Sequence, residues 1–311
     1  MNFIEHHQLV KIKTLDDVQL ESWFYEVEGP APAIIMTQGF NCVKEMSLAE
    51  TAEAFQSAGF NVLLYDSRGV GGSGGMPRNQ IDPFKMIEDI SDIVNFAMTL
   101  PSVNPRQVLL WGISFGATVT GVAATIDRRV AAVIMVCPIF SFVREDKRAT
   151  LFAQLMKDRK SQLRGNEPFT LPPFNSKGEN PAGFAGSGGK GGKEAYAVMK
   201  AAVDHGHPNF RDRITLQTYN KLALFNPKQL LEEMLEAMPT MMVIPELDDI
   251  SPPIEQRMVF ENLQTPKRLY LAGGKGHMSI LDGKDSATLR AAMVDFFRAA
   301  LEDRIRSNAT T

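Results

Sequence analysis

Cysteine is nearly missing: Cys42 and Cys137 are the only two in 311 residues, far apart and without metal-ligand spacing. A disulfide framework is thereby excluded, and both are read as reduced thiols. Long apolar runs are also missing, so no bilayer-spanning segment is expected, and the N-terminus lacks the basic and apolar regions of a secretory signal. A cytoplasmic protein without membrane contact is the expectation. Asn308, Ala309 and Thr310 match a glycosylation sequon that carries no meaning without secretion. An excess of charge of one sign is missing: the net value of −3 gives no electrostatic case for binding nucleic acid. The nucleotide-cradling run GxxxxGK followed by Ser or Thr is absent too, and no cofactor or metal is expected.

What remains is the composition of an ordinary soluble globule, 44% hydrophobic and 22% charged. Short apolar runs alternate with amphipathic stretches, which predicts an α/β fold with a mostly parallel sheet covered on both faces. Val10 to Lys13 and Leu20 to Tyr25 read as an opening hairpin, Ala33 to Met36 and Asn61 to Tyr65 as buried strands. Ser47 with Glu50 reads as a capping box for a helix ending at Gly59. Asp82 and Pro83 start the next helix, Ala131 to Val136 is a further strand, and Lys284 to Arg306 is an amphipathic closing helix. Between Pro138 and about Ala237 the rhythm stops. Residues 1–140 and 235–311 are therefore expected to form the core, and 141–234 a helical cap with a mobile Gly/Pro-rich loop at 172–193. Met156, Met199, Leu222, Leu224 and Phe225 are candidates to line an acyl channel, each as readily explained by packing within the cap.

Gly112, Ile113, Ser114, Phe115 and Gly116 follow the apolar run Val108 to Trp111 and open a small-residue helical stretch. A GxSxG between a strand and a helix lifts its serine onto a sharp turn, where the oxygen is exposed for attack. Such a nucleophile needs a base. His6, His7, His205 and His207 read as surface histidines, whereas His277 follows the strand-like Arg268 to Ala272 and the loop Gly273 to Gly276. The base in turn needs a carboxylate, and three acids follow the strand Met241 to Ile244. Asp248 is preferred, because Ser251 and Pro252 read as the start of a helix and leave it on the loop near the strand end. Asp249 is the alternative, and Glu246 reads as a local cap or pair. Donors for an oxyanion are expected from the backbone amides of Phe115, at the start of the helix, and Phe40, on the loop after an early strand. The order Ser114, Asp248, His277 is that of an α/β-hydrolase sheet with an inserted helical cap.

The segments QGFNCVKEM (38–46), LYDSRGVGGSGGMP (64–77), RNQIDP (78–83), WGISFG (111–116) and PELDDISPP (245–253) resemble the fungal α/β-hydrolases of polyketide biosynthesis, the polyketide transferase and thiohydrolase group. The resemblance covers residues 30 to 140 and 235 to 280 and leaves out the cap. It departs at Gln38, where many relatives carry His. It implies Ser114, Asp248 and His277 as the triad, and a small-molecule acyl substrate delivered as a thioester by a polyketide synthase carrier domain. A homodimer is left open. The expected activity is hydrolysis or acyl transfer through an acyl-enzyme on Ser114. The alternatives are a non-hydrolytic cyclase or C–C bond catalyst on the same scaffold, and a binding protein that has lost its chemistry.

Overall fold

The computed structural model describes residues 7–207 and 209–305; His6, the sequon at 308–310 and the expected helix end at Arg306 lie outside the described residues. Gln8–Lys13 (β1) and Gln19–Tyr25 (β2) pair antiparallel, as the alternating pattern requires. The apolar runs Ala31–Thr37 (β3), Asn61–Tyr65 (β4), Val103–Ile113 (β5), Val130–Val136 (β6), Thr240–Pro245 (β9) and Lys267–Ala272 (β10) pair parallel. Together they make an eight-stranded sheet in the order β1-β2-β4-β3-β5-β6-β9-β10. Every residue of β4 and β9 is buried, as in a sheet covered on both faces.

Two cores result. On one face Ile34, Leu64, Trp111 and Ile134 meet Phe55 of Ala49–Ser57 (α1) and Phe296 and Phe297 of Ser286–Leu301 (α9). On the other, Ile35, Leu63, Leu110 and Val133 meet Ile90 and Val94 of Pro83–Thr99 (α2) and Val119 of Phe115–Ile126 (α3). Trp111 keeps its indole N–H satisfied within the core by donating to Met293 Sδ at 3.2 Å. Between β6 and β9 the chain forms Arg148–Gln162 (α4), the short antiparallel pair Thr170–Leu171 (β7) and Ile214–Thr215 (β8), Gly189–Asp204 (α5), Thr218–Leu224 (α6) and Pro227–Met234 (α7). Pro253–Asn262 (α8) follows β9. No helix among the described residues is long and apolar enough to cross a membrane.

Four local expectations need correction. The Ser47–Glu50 capping box does not form: Ser47 is left-handed (φ 62°), Leu48 occupies the N-cap, and no side chain caps α1. The chain turns there on leaving a tightly held loop, which takes the hydroxyl off the helix end. Ser251 does not cap α8 either; its hydroxyl donates to Pro138 O at 2.6 Å, and the helix opens at Pro253. Of the Gly/Pro-rich segment 172–193, residues 189–193 belong to α5 rather than to a loop. Glycine is a poor helix former, but a Cβ at Gly192 would lie 2.2 Å from Gly178 O, so close packing overrides propensity. Finally α7, inside the expected cap, packs on α3 through buried Leu231 and so belongs to the layer on the sheet.

Asp82 does cap α2, its carboxylate accepting from Phe84 N at 3.2 Å with Pro83 as the first helical residue. Asp82→Ala is expected to cost about 1 kcal/mol and to lower the melting temperature by about 2 °C in calorimetry.

Candidate active site

Strand β5 ends at Ile113 and α3 begins at Phe115, so one residue carries the whole change of direction. That residue, Ser114, sits at φ 58° and ψ −125°, a conformation that costs a non-glycine residue of order 1–3 kcal/mol. Its amide donates to Val136 O on the neighbouring strand at 2.8 Å. Flanking glycines are compulsory: a Cβ at Gly116 would lie 2.1 Å from Gln38 O, and one at Gly112 would lie 2.6 Å from Gly116 O. Sharpness of the turn and the smallness of its neighbours are one requirement.

The loops after β9 and β10 bring the other two side chains to the serine. Leu247 N donates to Lys275 O at 2.8 Å and Gly274 N to Glu246 Oε2 at 2.7 Å, so the two loops are stitched together. His277 Nε2 lies 2.8 Å from Ser114 Oγ, and His277 Nδ1 lies 2.9 Å from Asp248 Oδ2. With Nδ1–H donating to the carboxylate, Nε2 is left free to accept from the serine hydroxyl. Asp248 is fixed by Ile250 N (3.0 Å) and Ser251 N (2.8 Å) on Oδ1 and by Gln256 Nε2 (3.1 Å) on Oδ2. Asp249 turns the other way and accepts from Lys190 N and Gly191 N at the start of α5. Among the three acids weighed from sequence, Asp248 alone meets His277, and Glu246, expected to cap or pair locally, instead accepts from the loop after β10.

A neighbour that sequence reading did not place is Cys137. It is fully buried at φ 41° at the end of β6, and one ligand atom each of Cys137, Asp248 and His277 lie within 4.8 Å of one another. No spacing signal links residue 137 to residues 248 and 277; only the adjacency of β6 and β9 does. Burial works against a charge on His277, but the Cys137 sulfur and the Asp248 carboxylate outweigh it and raise the imidazole pKa above its ordinary value. His7 stacks on Trp23 with centroids 4.2 Å apart, and His205 Nδ1 lies 2.7 Å from Ala201 O, both away from Ser114.

The loop facing the serine is held from two directions. Gln38 donates through Nε2 to Val43 O (3.0 Å) and Met46 O (2.5 Å) and accepts from Gly39 N (3.2 Å), spanning residues 39–46 with one side chain. Gln38 therefore binds backbone along its own loop. Further out, the Lys44 ammonium, 1% exposed, meets Glu21 (2.7 Å), Glu45 (3.0 Å) and Asp66 (2.8 Å). These acids form the other cluster with metal-ligand geometry, and the ammonium already fills it. Burial opposes the Lys44 charge, yet Asp66 and the other two carboxylates raise its pKa. Phe40 and Phe115 pack edge to face at 5.4 Å, and neither backbone amide has an acceptor among the described residues.

Ser114 and His277 open into a cavity of about 150 Å³ walled by Phe40, Ile139, Phe184, Met199 and Ile250. Of the five channel candidates only Met199 lines it. Met156 and Leu224 are exposed because Leu155 and Leu222, their neighbours on α4 and α6, take the inward face. Phe225 stacks instead on Phe142, with centroids 5.8 Å apart.

Sheet order, elbow and loop positions are those of an α/β-hydrolase. The serine aminopeptidase, S33 family matches residues 30–284, and the chain belongs to that family of α/β-hydrolases. Within it the chain falls in the fungal thiohydrolase and polyketide transferase group. It is 40% identical over 292 residues to a thiohydrolase of Eupenicillium brefeldianum, covering 94% of each chain. It is 37% identical over 295 residues to the polyketide transferase ATR5 of Stachybotrys chlorohalonatus, covering 94% of this chain and 97% of that one. Among solved structures, DcsB in complex with its substrate analogue matches with a TM-score of 0.92 at 53% identity, over 95% of this chain and 99% of that one. GrgF, an α/β-hydrolase from Penicillium sp. sh18, matches with a TM-score of 0.84 at 35% identity, with the same coverage.

Removing the buried cation should leave three carboxylates facing one another. Lys44→Met is expected to lose about 3–5 kcal/mol in denaturant unfolding, well beyond a surface ion pair.

Proposed function

We propose that the protein is a serine hydrolase or acyltransferase acting on a polyketide-type acyl thioester or ester through an acyl-enzyme on Ser114. The observation that carries this reading is the unbroken hydrogen-bonded chain Ser114–His277–Asp248, at 2.8 and 2.9 Å, at the floor of an apolar cavity. His277, held in one tautomer by Asp248, takes the hydroxyl proton as Ser114 attacks the acyl carbonyl. Amides of Phe40 and Phe115 hold the oxyanion, a role supported by their lack of other acceptors; losing one such donor typically costs roughly 100-fold or more. His277 then returns the proton to the leaving thiol or alcohol. Water, or a hydroxyl, amine or carbanion of the acceptor, attacks the ester and releases the acyl group. Relatives named thiohydrolase and polyketide transferase support a thioester donor; its delivery by a polyketide synthase carrier domain is part of the proposal.

Intact mass after mixing with a fluorophosphonate or an acyl thioester tests the reading. A single adduct on Ser114, absent in Ser114→Ala, is the expected result; turnover of thioester without any adduct would transfer the case to a cyclase that uses His277 and Asp248 as acid and base only.

The pH profile supplies a second test. His277 acts as a base only when neutral, and its pKa is raised, so kcat/KM should fall with acid through an ionisation above the usual histidine value. Asp248→Asn removes a group that favours the imidazolium, so the midpoint should move to lower pH. The same change should reduce kcat by roughly 10³–10⁴, through loss of the correct tautomer.

A further inference from the structure

Asp249 is idle in the chemistry just described, yet both of its carboxylate oxygens are bonded to an inserted helix. Helix α5 starts after Gly188, which has no side chain to cap it. Asp249, from the loop after β9, supplies the missing acceptor: it receives Lys190 N at 2.9 Å and Gly191 N at 2.9 and 3.0 Å. A carboxylate at the positive end of a helix is favourable both as a hydrogen-bond acceptor and as a charge. The fit is specified from the helix side as well. A Cβ at Gly191 would lie 2.1 Å from Asp249 Oδ1 and 2.8 Å from Ile250 Cγ1, and one at Gly186 would lie 2.2 Å from Ile250 O. One turn further on, α5 turns Ala195, Val198 and Met199 into the cavity at Ser114, where they face Ile250. Three consecutive residues thus have three duties: Asp248 holds His277, Asp249 holds α5, and Ile250 forms the wall between them.

We propose that Asp249 is a positioning residue that sets acyl-chain selectivity by docking the N-terminus of α5 onto the acid loop and so fixing the width of the apolar cavity. The inference rests on the reading of that cavity as an acyl pocket. With the dock in place, α5 presses Met199 and Val198 toward Ile250, and an extended chain lies between them in a slot of fixed width. With it released, the helix start loosens and long chains lose their wall, whereas short ones, held beside Ser114, do not reach it.

Two variants break the dock from opposite sides. Asp249→Asn replaces one acceptor oxygen by donors that face the helix N–H groups. Gly191→Ala puts a methyl group into the carboxylate, although alanine is the better helix former and would otherwise favour α5. If one fails to fold, as judged by its melt, the other carries the test. Hydrogen exchange is measured across residues 189–204, and affinity for butanoyl and decanoyl coenzyme A is measured by calorimetry in a Ser114→Ala background, where no turnover intervenes. Exchange of the first turn of α5 should rise and decanoyl affinity should drop by about tenfold, with butanoyl affinity within about threefold. Unchanged exchange overturns the proposal, and so does an equal fall for both chains. Absence of a fluorophosphonate adduct on otherwise wild-type protein would count against the acyl-enzyme alone, since neither measurement here depends on it.

Discussion

The backbone of Gly116 lies so close to the carbonyl of Gln38 that no other residue fits between them, and most of the site follows from that approach. It brings the first turn of α3 against the loop leaving β3, where Phe40 and Phe115 pack edge to face. It forces Ser114 into a conformation that serine does not choose for itself, a cost met by the bond to Val136 O and by burial of α3 from Phe115 to Thr125. Polar side chains then hold the facing loop where the glycine has placed it. Gln38 ties the loop to itself, and Lys44 ties its far end to β2 and to the turn after β4.

Three separate contacts divide along a stretch of the chain as short as 246 to 250. Glu246 holds the neighbouring histidine loop, Asp248 orients the imidazole, and Asp249 reaches the inserted helix. Their side chains point in different directions because the chain after β9 leaves the sheet in a tight turn closed on the Asp248 carboxylate by the amides of Ile250 and Ser251. An insertion between β6 and β9 can therefore vary, and with it the wall of the cavity, while Asp248, His277 and Ser114 stay at the sheet ends.

The parts legible from the chain alone were those in which neighbouring residues carry the information. The parallel strands show as continuous apolar runs, the start of α2 as Asp-Pro, the elbow as glycines two apart from a serine. Capping at Ser47 and Ser251 was misread because a hydroxyl before a helix is ambiguous when tertiary partners compete for it; Ser251 chooses the carbonyl of Pro138. The glycines at 189–192 read as a loop because their helix depends on what they pack against, not on their own preference. Met156, Leu222, Leu224 and Phe225 could not be sorted from Met199, since which face of an inserted helix looks into a cavity depends on where that helix lands.

Residue order and local pattern suffice for the α/β architecture, the serine turn, the histidine loop and a short list of acids, because each is written in spacing along one segment. Which aspartate meets His277, that Cys137 lies beside them, that Lys44 sits buried among three carboxylates and that Asp249 caps a helix some sixty residues earlier in the chain were decided in three dimensions. Each of these joins segments apart in the chain, and their energies depend on burial and on distances of about 3 Å that exist only once the sheet has brought those segments side by side.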